Sequence, residues 1–501
     1  MNHKIYGVGH WTLADAIAVL NGKEKAVLSE QSIQQINQSA QNVQSIIDSN
    51  MVVYGINTGF GPLCDTQISK EETRKLQENL LISHAVGVGN PIAKEISKLM
   101  LITKAHALAK GFSGVTLEVV ERILLMIEKD IIPVVPEQGS VGASGDLAPL
   151  SHLFLPLIGK GKVWDGNQII PTQEAFQKHQ LEPIHLSAKE GLGLINGTQF
   201  ILSHALIGLN HFAYLLDLAD AIGAMSLEAY SGVKSPFMKE LHEVRPYEGT
   251  QKVAHRIRRI LENSEIIENN DFPRVQDPYS LRCIPQVHGA SRNAWLHLRD
   301  MAEIELNSVT DNPIVLNGKT AISGGNFHGQ PMAMVLDYAT LAAAEIGNIS
   351  DRRSYLLLEG KHGLPRLLTA SSGLNSGFMI PQYTSAALVT ENKTLCFPAS
   401  ADSIPTSLGQ EDHVSMGSIS GRKFNQVLNN LEKILAIELL YACQGLEFRR
   451  PLKSSPVLEE IFGLVRSKVA KLEDDRLIGE DILSIIQMIQ SSKMKEIIGE
   501  I

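Results

Sequence analysis

Gly142-Ala143-Ser144-Gly145-Asp146-Leu147-Ala148-Pro149-Leu150-Ser151-His152 contains the most chemically loaded tripeptide of the chain, Ala143-Ser144-Gly145. Ala-Ser-Gly can turn its own backbone into an electrophile. The Gly145 amide nitrogen can attack the Ala143 carbonyl carbon and close a five-membered ring. Loss of the Ala143 oxygen as water gives an imidazolone. Loss of the Ser144 hydroxyl as a second water leaves an exposed methylidene carbon. Each residue type has its reason. Gly145 lacks a Cβ and tolerates the backbone angles that bring its nitrogen within reach. Ala143 is small enough not to block the approach, and Ser144 carries the β-hydroxyl to be eliminated. The product, a methylideneimidazolone, captures amines with no metal and no external cofactor.

Two commoner motifs are excluded nearby. A serine-hydrolase elbow needs Gly-x-Ser-x-Gly, and Asp146 stands where the second glycine should be. Gly55-Ile56-Asn57-Thr58-Gly59-Phe60-Gly61 lacks dinucleotide-loop spacing, because counting from Gly59 the third glycine position is Cys64. The 16 histidines are scattered and the four cysteines (Cys64, Cys283, Cys396, Cys443) form no Cys-x-x-Cys pair, so no metal or redox site is expected. The cysteines read as reduced, mostly buried small hydrophobes. A net charge of −9 with no long basic block argues against nucleic acid or an acidic membrane as partner. No apolar run reads as long enough to span a bilayer. Met1-Asn2-His3-Lys4-Ile5-Tyr6 has no apolar signal core, which predicts a cytoplasmic location.

With 501 residues, 44% of them hydrophobic and 20% charged, the chain can bury the core of a soluble globular protein of two or more domains. It reads as mainly helical. In 421–446, Phe424, Val427, Leu428, Leu431, Ile434, Leu435, Leu439, Ala442 and Leu446 form one apolar stripe at helical spacing. From Met332 to Leu358 the chain is apolar on most sides, which predicts a buried helix and a thick bundle, completed by other subunits. Residues 375–397 read as another long helix, begun or kinked near Pro381 and ended by Pro398. Before about residue 190, turn signals alternate with shorter helical patterns, and Met51-Val52-Val53-Tyr54 and Gly161-Lys162-Val163-Trp164 are the best strand candidates. The expected division is a mixed N-terminal region, 1–190, carrying the Ala-Ser-Gly loop, and a long-helix bundle, 191–501.

The 142–152 run resembles the aromatic amino acid ammonia-lyases, which carry Gly-Ala-Ser-Gly-Asp-Leu where their prosthetic group forms. The resemblance runs from near residue 10 to about residue 450 and is strongest to the histidine-specific branch. It implies a fold like the helical fumarase/aspartase-like superfamily, a homotetramer with sites assembled from several subunits, and a methylideneimidazolone formed from Ala143, Ser144 and Gly145. Further motifs follow in order. Val53-Tyr54-Gly55-Ile56-Asn57-Thr58-Gly59-Phe60-Gly61 is similar to the family's mobile inner loop, which implies an acid–base role for Tyr54. Ile82-Ser83-His84-Ala85 puts His84 beside the substrate side chain. Ile195-Asn196-Gly197-Thr198 resembles the segment whose Asn contacts the imidazolone and the substrate carboxylate.

Val275-Gln276-Asp277-Pro278-Tyr279-Ser280-Leu281-Arg282-Cys283 supplies Arg282 as a carboxylate clamp, since guanidinium matches a carboxylate in two prongs. By the same resemblance Tyr279 lies near the reacting centre and Gln276 is a polar contact. Gly324-Gly325-Asn326-Phe327-His328-Gly329-Gln330-Pro331 implies Phe327 against the substrate, with His328 structural and no role for Gln330. Gln410-Glu411-Asp412-His413-Val414-Ser415-Met416 bears on substrate choice. A carboxylate at Glu411 can accept an imidazole N–H, whereas a phenyl ring would leave it buried and unpaired at a cost of several kcal/mol.

The activity implied is non-oxidative deamination of L-histidine to trans-urocanate and ammonia. The substrate amine would add to the Ser144-derived carbon, Arg282 and Asn196 would hold its carboxylate, and Glu411 and His84 its imidazole. Tyr54, or else Tyr279, would take the β-proton. A tyrosine hydroxyl ordinarily titrates near pH 10, so this role calls for a depressed pKa. Tyrosine or phenylalanine deamination, and an aminomutase that returns the amine to the β-carbon, are the alternatives within this chemistry.

Overall fold

The computed structural model describes residues 3–49, 52–59, 61, 70–269, 272 and 274–501. Helices dominate, as expected. The strongest periodic pattern becomes the Gly417–Glu447 helix, and all nine stripe residues from Phe424 to Leu446 are fully buried. The Met332–Leu358 pattern becomes the Gln330–Leu358 helix, and the 375–397 pattern the Met379–Leu395 helix, with Pro381 in its first turn, where no intrahelical N–H is lost. Near the N-terminus, the Leu13–Leu20 helix starts in a capping box, Thr12 and Asp15 each taking the other's backbone N–H.

The chain forms two compact units. The first comprises Met1–Ile207, Leu298–Asp337 and Pro398–Arg422; the second comprises Gly208–His297, Tyr338–Phe397 and Lys423–Ile501. The division expected near residue 190 therefore falls inside the first unit. Four of the five changes of unit occur within helices, Gln199–Ala229, Ile284–Leu306, Gln330–Leu358 and Gly417–Glu447, so no break in composition marks them.

In the first unit, the helices Lys70–His84, Lys94–Leu108, Leu117–Glu128 and Leu147–Phe154 accompany small sheets. One is antiparallel, with Lys162–Asp165 between Ile132–Pro133 and Gln168–Pro171 and Val163 opposite Ile170. The Gly161–Trp164 expectation is thus a strand one residue later. The other candidate is not a strand. Val52–Tyr54 enters a turn in which the Asn57 and Thr58 side chains take the N–H groups of Val53 (2.9 Å) and Gly55 (3.2 Å); Met51 lies outside the described residues.

In the second unit the core is helical and contains charge. Asp220 is fully buried and accepts from Arg292 (2.5 Å), Arg256 (3.1 Å) and His288 (2.8 Å). Arg353, also fully buried, pairs with Glu438 through two hydrogen bonds of 2.5 and 2.9 Å. The helices Glu248–Ile260 and Ile284–Leu306 meet backbone to backbone: a Cβ on Gly249 would lie 2.1 Å from the Gly289 oxygen.

Three further expectations need correction. The Gln199–Ala229 helix is long and apolar enough, at mean hydropathy 1.3, to cross a membrane by length and composition, but 67% of its most apolar window is buried, as in a core helix. The Gln330–Leu358 helix is not buried all round, since Tyr338, Leu341 and Tyr355 are about half exposed on one face. Cys443 is buried but Cys283 and Cys396 are only partly so; Cys64 lies outside the described residues.

Candidate active site

Ser144 stands in a loop that leads into the Leu147–Phe154 helix. Both flanking glycines are needed where they are. Gly145 has φ +77°, and a Cβ there would sit 2.1 Å from the Gly197 oxygen. Gly142 has φ +69°, and a Cβ there would sit 2.2 Å from Ser415 Oγ. The loop is held from two sides. Gly145 bridges Gly197, and the Asp146 N–H donates to the Gly197 oxygen at 2.7 Å. From the other side, the Met416 N–H donates to the Val141 oxygen (2.9 Å) and the Ser418 hydroxyl to the Ser140 oxygen (2.7 Å). Ala143 packs with Val414 and Met416.

Asp146 is fully buried and accepts the N–H groups of Phe200 (3.1 Å) and Ile201 (3.0 Å). Burial pushes its carboxyl up to about 7 against those hydrogen bonds.

The loop borders a cavity of about 1090 Å³ in the first unit. Tyr54, His84, Ala143, Ser144, Asn196, Phe327 and Glu411 all line it. Ser144 Oγ donates to Glu411 Oε1 at 2.7 Å, across 267 residues of chain. Glu411 Oε2 accepts from the Thr406 and Ser407 hydroxyls, each at 2.8 Å, which fixes the carboxylate's plane. Asn196 is buried, and its Nδ2 donates to the Ser144 carbonyl oxygen at 2.8 Å, while its Oδ1 has no hydrogen-bond partner among the described residues. His84 ends the Lys70–His84 helix. Partial burial draws its imidazole below the ordinary range, opposed by the Leu80 backbone and the Glu411 charge. Tyr54 Oη accepts the Gly61 N–H at 3.3 Å. His328 reaches the His413 oxygen at 3.3 Å through Nε2, and Gln330 the Ser400 oxygen at 3.3 Å.

Gln276, Tyr279 and Arg282 are not among the residues that line this cavity. They belong to the second unit, where Gln276 is exposed and Tyr279 is 71% exposed. Arg282 stacks on the Tyr279 ring at 4.5 Å, and its Nε is buried with no hydrogen-bond partner among the described residues. Their turn is anchored by the buried Asp277, which pairs with Arg274 at 2.5 Å.

Several residues at the site escaped sequence reasoning. Thr406 and Ser407 orient Glu411 but lie just before the Gln410–Met416 motif. Lys104 donates to the Asn196 backbone oxygen at 2.7 Å, and burial pulls it down to about 7. A lone lysine inside the apolar run Leu99–Leu108 was the available signal.

The loop suits a methylideneimidazolone. Gly145 is cradled where any side chain would collide, and the buried Asn196 amide is aimed at the one carbonyl of the tripeptide that would remain conjugated to the new double bond.

Residues 11–467 match the family model for aromatic amino acid lyases, and the chain belongs to that family. Histidine ammonia-lyase of Caldanaerobacter subterraneus subsp. tengcongensis is 45% identical to it over 98% of this chain and 97% of that one. Among solved structures, histidine ammonia-lyase of Trypanosoma cruzi matches with TM-score 0.91 and 39% identity, covering 100% of this chain and 95% of that one. Tyrosine aminomutase of Streptomyces globisporus matches with TM-score 0.94 and 33% identity, covering 100% and 99%.

Proposed function

We propose that this chain deaminates L-histidine to trans-urocanate and ammonia. The observation that carries the reading is the Glu411 carboxylate, in the same cavity as His84 and held 2.7 Å from Ser144 Oγ. A carboxylate there has an N–H to accept from imidazole and none from a phenyl ring. The methylideneimidazolone formed from Ala143, Ser144 and Gly145 supplies an electrophilic carbon that makes the substrate nitrogen a better leaving group.

The remaining work falls to side chains. The Asn196 amide donates at the Ser144 carbonyl oxygen, where negative charge develops. Glu411 and His84 orient the imidazole, and Phe327 packs against the substrate. Tyr54 takes the β-proton, the Cα–Cβ double bond forms, and the Cα–N bond breaks to release ammonia; Tyr279 is the alternative base. Gln276, Tyr279 and Arg282 serve the cavity of a neighbouring copy, with Arg282 clamping the substrate carboxylate. The exposure of Tyr279 and the unpartnered Arg282 Nε support that assignment. A homotetramer is part of the same reading, supported by the exposed Tyr338, Leu341 and Tyr355 face, and a cytoplasmic location goes with it.

The test is a panel of L-histidine, L-tyrosine and L-phenylalanine, following ammonia and the conjugated product, with Ser144→Ala beside the unaltered protein. Histidine is expected to be preferred, and Ser144→Ala to fold and assemble without turnover. Preference for tyrosine would overturn the substrate. A β-amino acid in place of free ammonia would make the enzyme an aminomutase. Near-normal activity in Ser144→Ala would remove the prosthetic group from the account.

A further inference from the structure

Lys104 is the one lysine in the mostly apolar run Leu99–Leu108 of the Lys94–Leu108 helix. It is 1% exposed. A buried ammonium is costly unless it is paired. The charged groups around it are Asp311, Lys189 and Asp146. Asp311 is already taken, by Lys189 at 2.8 Å and the Ser113 hydroxyl at 2.7 Å. Asp146 Oδ2 is occupied by the N–H groups of Phe200 and Ile201. The hydrogen bond Lys104 makes is to a backbone oxygen, that of Asn196, at 2.7 Å.

That oxygen belongs to the residue whose side-chain amide meets the Ser144 carbonyl at 2.8 Å. The next residue, Gly197, is bridged to Gly145 and accepts the Asp146 N–H. Around the point where a Gly197 Cβ would stand lie Gln199 Oε1 at 2.5 Å, Thr310 Oγ1 at 2.9 Å and Lys104 Nζ at 3.3 Å. The Asn196–Gly197 peptide is thus clamped between Lys104 on one side and the Ala-Ser-Gly loop on the other.

We propose that Lys104 is a positioning residue for the reaction: its Nζ donor fixes the Asn196 carbonyl, and so keeps the Asn196 amide aimed at the Ser144 oxygen. Without that donor, the Asn196 backbone loses its anchor and the amide shifts from the oxygen on which charge develops. Misplacement of such a group by about an ångström costs up to roughly a hundredfold in rate. This rests on the prosthetic-group reading above.

The test uses the full-length protein with Lys104→Met, Lys104→Arg, Asn196→Ala and the double variant Lys104→Met/Asn196→Ala. Lys104→Met is expected to lower kcat on the order of tenfold to a hundredfold, with KM for histidine within about threefold. Lys104→Arg, which keeps a cationic donor, should recover most of the loss. The double variant should be little worse than Asn196→Ala alone, because Lys104 acts through Asn196. A purely structural lysine would instead give additive losses. Intact mass of each variant reads the two-water loss at the tripeptide separately from activity.

Unchanged kcat in Lys104→Met, or additive losses in the double variant, would overturn the role of Lys104. Absence of the two-water loss from the unaltered protein would instead take down the prosthetic-group reading. If Lys104→Met does not fold, Lys104→Leu, which likewise removes the donor, replaces it, and normal kcat in that variant overturns the proposal equally.

Discussion

A single carboxylate carries much of the proposed specificity. Glu411 Oε2 is fixed by two hydroxyls, which leaves Oε1 facing the cavity beside Ser144. Glu411→Gln keeps the size and removes the charge. The expected outcome is a loss of roughly a hundredfold or more in kcat/KM for histidine, with weaker discrimination against tyrosine and phenylalanine. Steady-state kinetics on all three amino acids checks it, and an unchanged histidine value would move imidazole recognition elsewhere. At this scale, long motifs made the site readable: Tyr54, His84, Asn196, Phe327 and Glu411 were each named from one and meet at one cavity. Lys104 was not readable. Its local sequence shows a lysine inside an apolar helix but not what that lysine holds, because its acceptor lies 92 residues away.

Among the elements, close helix contact sets the limits. Gly249 and Gly289 let two helices touch through their backbones, and a Cβ on Gly289 would lie 2.5 Å from Thr250 backbone atoms. Gly289→Ala is expected to destabilise the protein by about 1–3 kcal/mol by forcing the helices apart. A lowered denaturation midpoint, by urea or by heat, is the measurement, and an unshifted midpoint contradicts the packing argument. Helix existence was plain from sequence because burial follows the apolar stripe, as from Phe424 to Leu446. The false strand at Val52–Tyr54 has an equally physical cause. Its β-branched run suggested a strand, but Asn57 and Thr58 side chains compete for the backbone donors and turn the chain.

For the molecule as a whole, the buried charges of the second unit tie stability to pH. Arg292, His288 and Arg256 hold the Asp220 carboxyl below the usual carboxylate range, overcoming the opposing effect of burial. A depressed folded-state pKa stabilises at pH above the unfolded value of about 4 and is lost as pH falls toward the folded value. Asp220→Asn is therefore expected to cost about 3–5 kcal/mol at neutral pH, since it leaves buried cations unpaired, and to flatten the acid limb of stability below about pH 4. Denaturation curves across pH 2–7 check both, and an equally steep acid limb in the variant would assign it to other carboxylates. The division into units was hidden from sequence for a related reason: the chain changes unit inside continuous helices, where composition does not change. The 267 residues between Ser144 and Glu411 also set a timetable. At the ribosome's pace of about 5–20 residues per second, the serine emerges roughly ten seconds to a minute before its carboxylate partner exists. Throughout that interval the nascent loop also lacks Ser415, Met416 and Ser418, so its tight geometry is completed only as translation nears its end.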